Sequence, residues 1–157
     1  MRKEILSFTG DRPDGRLIHI LEEAAVHTDG FTAEQDSFFV FVMRPDMIKE
    51  LEALSDEEGA SRNAQMAVIA FSDPAKRTAR SEALFSLHAM AVAAEKEGYA
   101  YQFMPFAVKV FQDPAYDELA HACGVPDGYG CAGALAIGIA KEEREYEPRY
   151  SVFSYIQ

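Results

Sequence analysis

Four sets of residues in this chain have types or spacing that could carry chemistry. The run Gly128-Tyr129-Gly130-Cys131-Ala132-Gly133 satisfies G-x-G-x-x-G, which presents backbone amides to a dinucleotide pyrophosphate when it joins a strand to a helix N-terminus. Here a helical segment precedes it and an apolar strand-like run follows, so the expectation is a turn with close backbone packing whose glycines can border a ligand. Cys123 and Cys131 are too far apart for a C-x-x-C redox motif and have no histidine at ligand spacing; they read as reduced, small buried hydrophobes. His19, His27, His88 and His121 are scattered over three helical segments, a distribution that supports neither a metal site nor a Ser-His-Asp constellation. The carboxylate runs Glu22-Glu23, Asp56-Glu57-Glu58 and Glu142-Glu143 read as solvated faces. No side chain is assigned acid–base catalysis, and no metal ligands are assigned.

The elements that must position such groups follow from periodicity. Arg12-Pro13-Asp14 opens a helix in which Leu17, Ile18, Ile20, Leu21, Ala24 and Ala25 recur at helical spacing up to His27. The run at 38–43, Phe-Phe-Val-Phe-Val-Met, is β-branched and aromatic without alternation, which predicts a central strand covered on both faces. Pro45-Asp46 starts a helix through Leu54, and residues 66–71 form a second buried strand ended by Ser72-Asp73-Pro74. Residues 81–97 place Ala83, Leu84, Leu87, Met90, Ala91 and Ala94 on one small-residue stripe, suited to close packing in the core or across a dimer, with Gly98 as C-terminal cap. Residues 101–106 read as a short strand or extended piece, Asp113-Pro114 caps a helix to Cys123, and 128–140 is a turn followed by a third apolar strand. The tail 147–157 alternates apolar residues and could pair as a strand with another subunit. Helices interleaved with such strands give an α+β or α/β sandwich with helices on both sheet faces.

Composition excludes several classes of function. The 157 residues fit a single domain, 1–157, and 48% hydrophobic content argues against disorder. The longest uncharged apolar runs, 38–43 and 131–140, fall far short of the roughly 20 residues of a membrane span. Met1-Arg2-Lys3-Glu4-Ile5-Leu6-Ser7-Phe8 lacks a secretory apolar core, so the expected location is the cytoplasm. A formal net charge of −11 argues against nucleic acid as partner, while a local Arg or Lys cluster could still hold a small anion.

Taken in order, these segments resemble the flavin-dependent nitroreductase family. That family opens with R-R-S-x-R-x-F, a helix, a P-S-x-x-N-x-Q-P-W loop and a central strand; here Arg2-Lys3-Glu4-Ile5-Leu6-Ser7-Phe8, the helix at 17–25, the loop at 28–36 and the strand at 38–43 follow in that order. The helix carrying Lys49-Glu50-Leu51, the strand at 66–73, the helices at 81–99 and 113–125 and the strand at 134–139 complete the likeness. The resemblance implies an α+β fold, an α-β-α sandwich with a mixed or antiparallel central sheet, in an intertwined homodimer that binds FMN at the subunit interface. It implies that Arg2, Lys3 and Arg149 meet the FMN phosphate, that Thr32 and Glu34 stand where the family's Asn and Gln contact the flavin ring and ribityl chain, and that Tyr99 and Pro105, in Met104-Pro105-Phe106, line the flavin. Leu6 replaces the last arginine of the opening segment, and Asp36 stands where Trp is usual. The implied activity is an FMN-dependent, NAD(P)H-using oxidoreductase acting on nitroaromatics, quinones or similar acceptors. The replaced residues keep a second expectation open, a non-catalytic dimer that has lost flavin and serves as a ligand-binding or regulatory module.

Overall fold

The computed structural model describes residues 2–28 and 36–157. In chain order the elements are β1 (Arg2–Phe8), α1 (Arg16–Val26), β2 (Ser37–Val42), α2 (Pro45–Leu54), β3 (Ala67–Ser72), α3 (Ala79–Lys96), β4 (Ala100–Phe103), α4 (Pro105–Phe111), a 3-10 turn at Pro114–Tyr116, α5 (Asp117–Ala122), β5 (Gly130–Gly138) and β6 (Ala140–Tyr146). The four-stranded sheet runs β2-β3-β5-β4, antiparallel at every pairing, and β1 and β6 form a separate antiparallel ribbon. This is an α+β fold with helices packed on an antiparallel sheet.

β3 is buried at all six positions because neither of its faces meets water. Ala67, Ile69 and Phe71 pack with Ile48 and Leu51 of α2 and with Phe106, Ala107 and Val110 of α4, while Val68 and Ala70 pack with Leu17 and Leu21 of α1 and Leu87, Met90 and Ala94 of α3. One residue of β5, Ala132, has no counterpart on β3, since Ala70 pairs with Gly133 and Phe71 with Cys131. This bulge resets the alternation, so that Cys131, Ala134 and Ala136 face the α2/α4 side and Ala132, Leu135 and Ile137 the α1/α3 side. A Cβ at Gly133 would stand 3.1 Å from a methyl of Leu84 and 3.3 Å from one of Leu87, so glycine there lets α3 lie close on the sheet.

Some expectations hold and others are corrected. β2 is an edge strand, hydrogen-bonded to β3 alone and only half-buried along most of its length, because residues 66–72 and 130–138 take the interior positions. The first helix begins at Arg16, after Pro13 and a turn. The small-residue stripe of α3 is spent within its own subunit: Ala83, Leu87, Met90, Ala91 and Ala94 are fully buried, and Leu84 alone of that set is partly exposed. The helix stops where Gly98, at φ +87°, donates to the Glu95 carbonyl and Tyr99 to that of Ala94, a paired closure that only a left-handed residue completes. The extended piece expected at 101–106 ends at Phe103; Pro105 is the first residue of α4, fixing φ where no amide donor is needed. The helix expected from Asp113 to Cys123 is divided, with the Asp113 carboxylate accepting from the Ala115 amide to start the 3-10 turn before α5. Residues 147–157 form no strand in the single chain.

Candidate functional site

The ribbon joins the two ends of the chain. β1 carries Arg2-Lys3-Glu4 and β6 carries Lys141-Glu142-Glu143-Arg144-Glu145-Tyr146, so each strand supplies charges the other can answer: Glu4 pairs across from Arg144, and Lys3 lies 3.8 Å from Glu143. The apolar members, Ile5 and Phe8, turn into the α2/α4 core. The Ile5 amide donates to Gln102 Oε1 at 3.0 Å and fastens the ribbon beside β4, the second edge of the sheet.

Between ribbon and sheet edge lies a cleft of about 1170 Å3, above the usual size of small-molecule sites, roughly 300–1,000 Å3. One wall carries Tyr99, Tyr101, Gln102 and Phe103; the other carries Lys3, Glu4, Glu143, Tyr146 and Arg149. Tyr101 and Phe103 meet edge to face at 5.9 Å between ring centres, and the Asp14 amide donates to the Tyr99 hydroxyl at 2.9 Å.

Glu4 organises the ribbon side. Its carboxylate accepts from Arg62 Nη2 at 2.8 Å, from Arg144 Nη2 and Nε at 3.0 and 3.1 Å, and from the Tyr146 hydroxyl. The Tyr146 hydrogen bond and the Arg62 guanidinium hold its pKa down at about 2, so it is ionised throughout the neutral range. The same carboxylate pushes the Tyr146 phenol upward. Arg62, at φ +53°, also bonds the Ile5 carbonyl through its side chain and receives the Phe8 amide on its own carbonyl at 2.9 Å, so this turn is tied to β1 from both sides.

Of the residues singled out in the sequence, Lys3, Tyr99 and Arg149 come together in this one cleft from three distant segments. Residue 2 opens β1 opposite Tyr146. Pro105 stands exposed at the start of α4, outside the cleft lining, while Phe103, two residues earlier, belongs to it. Thr32 and Glu34 lie outside the described residues; Asp36, which follows them, is buried at the start of β2 and so sits on the opposite edge of the sheet, three strand spacings or about 14 Å from β4. Glu4, Gln102 and Tyr146 were not anticipated. Glu4 stood inside the Arg2-Lys3-Glu4 triplet, but only its pairing with residues 140–146 makes it a site residue.

The remaining candidates take structural places. Gly128–Gly133 forms a turn and the start of β5, with no helix following. Cys123 and Cys131 are free thiols, half-buried against the α2/α4 core, and burial pushes Cys131 up to about 12. His19, His27, His88 and His121 are exposed, and among the described residues no group of three His, Cys, Asp or Glu converges to hold a metal. No helix among the described residues is long and apolar enough to cross a membrane.

The chain superposes on a nitroreductase with bound FMN from Bacteroides fragilis with a TM-score of 0.84 over 98% of this chain and 94% of that one, at 15% identity. A nitroreductase with bound FMN from Desulfitobacterium hafniense gives 0.83 over 99% and 94%, at 18% identity. An FMN-dependent nitroreductase from Clostridium difficile gives 0.77 over 94% and 88%, at 16% identity. The sequence itself matches no family model and no curated protein. The chain therefore has the nitroreductase fold.

Proposed function

We propose that the chain acts as a homodimer that binds FMN in the cleft between the ribbon and β4 and serves in the cytoplasm as an NAD(P)H-dependent oxidoreductase of nitroreductase type, with a nitroaromatic, quinone or similar acceptor. The observation that carries this reading is the convergence of Lys3, Tyr99 and Arg149 on one cleft in a chain of this fold. The donor set fits the cofactor: Arg149 has no ion-pair partner among the described residues, Lys3 holds only a long, exposed pair with Glu143, and the aromatic wall of Tyr99, Tyr101 and Phe103 offers apolar surface to a ring system. Arg149 and Lys3 bind the phosphate, Arg2 adds charge from the same strand, and Tyr99 borders the flavin. FMN, when bound, supplies the hydride and electron chemistry; the protein orients it and sheds water from the aromatic side. No side chain acts as acid or base in this reading.

Two further observations support a dimer. On α3, Phe85 and Val92 stay 47% and 39% exposed opposite its buried face, apolar surface that a second subunit would cover. In the tail, Val152, Phe153, Tyr155 and Ile156 are also exposed.

One observation favours a second reading: the cleft is lined by three carboxylates, Glu4, Glu95 and Glu143, against two described cations, Lys3 and Arg149, which suits a module that keeps the dimer and takes a different ligand. Titration of the purified protein with FMN, followed by flavin fluorescence and the visible spectrum beside Arg149→Ala, decides between them. Saturable micromolar binding that weakens in the variant supports the oxidoreductase, whereas no binding with excess FMN leaves the ligand-binding module. Sedimentation of the same sample tests the dimer, and a monomer would remove it.

A further inference from the structure

We propose that Arg144 is a positioning residue whose charge, with that of Arg62, masks Glu4 and so sets the cleft to accept a phosphorylated flavin over an uncharged one. The inference rests on the reading that this cleft takes FMN.

Glu4 lies on β1 directly after Lys3, and both side chains line the cleft. A bare carboxylate beside a bound phosphate is a like-charge pair, unfavourable by about 1 kcal/mol at 4 Å even in bulk water and by more near a protein surface. In this ribbon the carboxylate is fully engaged. One oxygen receives Arg62 Nη2 at 2.8 Å; the other receives Arg144 Nη2 and Nε at 3.0 and 3.1 Å together with the Tyr146 hydroxyl. Both oxygens are engaged by charged donors, and the two guanidinium charges offset the carboxylate's own field at short range. The side chain is 22% exposed and that of Arg62 27%, shielded enough for these contacts to survive moderate salt.

The two arginines divide the work. Arg62 is structural as well, since its backbone carbonyl and its guanidinium both hold β1. Arg144 is 56% exposed, does not line the cleft, and makes its close polar contacts with Glu4 while lying 4.6 Å from the centre of the Tyr146 ring. Removing its charge leaves the ribbon's backbone pairing intact, because Glu4 and Arg144 are only one of the six residue pairs in register. What changes is the field at the cleft: Arg62, Arg144 and Glu4 together fall from one net positive charge to none, next to Lys3, which already shares its ammonium with Glu143.

The test is titration with two ligands that differ only in the phosphate, FMN and riboflavin, read by flavin fluorescence. Wild type is expected to bind FMN more tightly. Arg144→Gln should weaken FMN by about five- to tenfold, leave riboflavin within about twofold, and lose its effect as salt rises and the Debye length shrinks. Arg144→Lys, which keeps the charge, should stay within about threefold of wild type for FMN. Glu4→Gln in the Arg144→Gln background should restore FMN binding, an outcome that a purely structural clasp would not produce because the double variant has lost both halves of it. Equal weakening of both flavins in Arg144→Gln, no change in either, or failure of the double variant to recover would overturn the masking role while leaving the cofactor reading intact. If wild type binds neither flavin, the cofactor reading and this inference fall together.

Discussion

Gly138→Ala is the substitution whose cost follows most directly from the packing around it. Gly138 ends β5 opposite Ala100, and a Cβ added to it would stand 2.9 Å from Phe8 Cδ1, with Cγ at 3.5 Å and Cε1 at 3.6 Å. Carbon atoms in contact rest at about 3.5–4.0 Å, so the ring must retreat by more than half an ångström. It has little room to do so. Phe8 is fully buried, its amide donates to the Arg62 carbonyl at 2.9 Å, and its own carbonyl accepts from the Asn63 side chain. Overpacking of this kind costs about 1–3 kcal/mol, and replacing glycine by alanine in extended backbone returns about 0.4–1 kcal/mol through the unfolded state. The net expectation is a loss of about 1–2 kcal/mol, or about 2–8 °C in Tm at this chain length. Thermal and urea unfolding measure it, with Gly133→Ala as comparison: there the nearest atoms, at 3.1 and 3.3 Å, are leucine methyls that can turn aside, and the loss should be smaller. Adding Phe8→Leu to Gly138→Ala should cost less than the sum of the single changes, because the shorter side chain vacates the contact. A Gly138→Ala protein as stable as wild type, or single effects that simply add, would refute the steric reasoning.

Two further outcomes follow from titrating groups. Glu4 has a folded pKa of about 2 against an ordinary 4.5, so its contribution to stability is complete above about pH 4.5 and is lost as pH falls from there toward 2. Glu4→Gln should flatten the fall in Tm across that window, and an unchanged slope between pH 5 and 2.5 would count against the clasp. Cys131, pushed up to about 12 by burial, carries only about one part in ten thousand thiolate at pH 8. It should react with a disulfide reagent more slowly than Cys123, whose thiol burial raises less, and both should label fully in urea. Modification of folded Cys131 as fast as Cys123 would show that it is not held as the structure has it.

The sequence was most legible where one local signal decided the outcome. Pro45 at a helix start, the polar-free run at 66–71 and Gly98 after a long helix each fix an element through neighbours a few residues away, and the structure has α2, β3 and the end of α3 where those signals put them. It was least legible where pairing decides. Nothing within Phe38-Phe39-Val40-Phe41 distinguishes an edge strand from a central one, since that depends on which strands fill the interior. Met104-Pro105 carries the start signal of α4, but Tyr101 and Phe103 just before it signal a strand, and that strand ends two residues before the helix begins.

The same division explains the site. Lys3, Tyr99 and Arg149 could be named in advance because an ordered resemblance fixes which segment is which, and the structure brings them to one cleft. Glu4, Arg144 and Tyr146 could not, because their significance is a contact across about 140 residues of chain between strands with opposite hydropathy patterns. β6 is almost wholly charged and exposed, so periodicity reads it as a solvated loop; it is a strand because its backbone pairs with β1, because Glu143 and Arg144 meet Lys3 and Glu4 there, and because Ile5 and Phe8 anchor that partner in the core. A ribbon stabilised by charge is also one whose field can be retuned by single substitutions without unfolding the sandwich behind it. The cleft's preference for charged or uncharged ligands is therefore the property of this protein most open to change, and the identity of its fold says least about it.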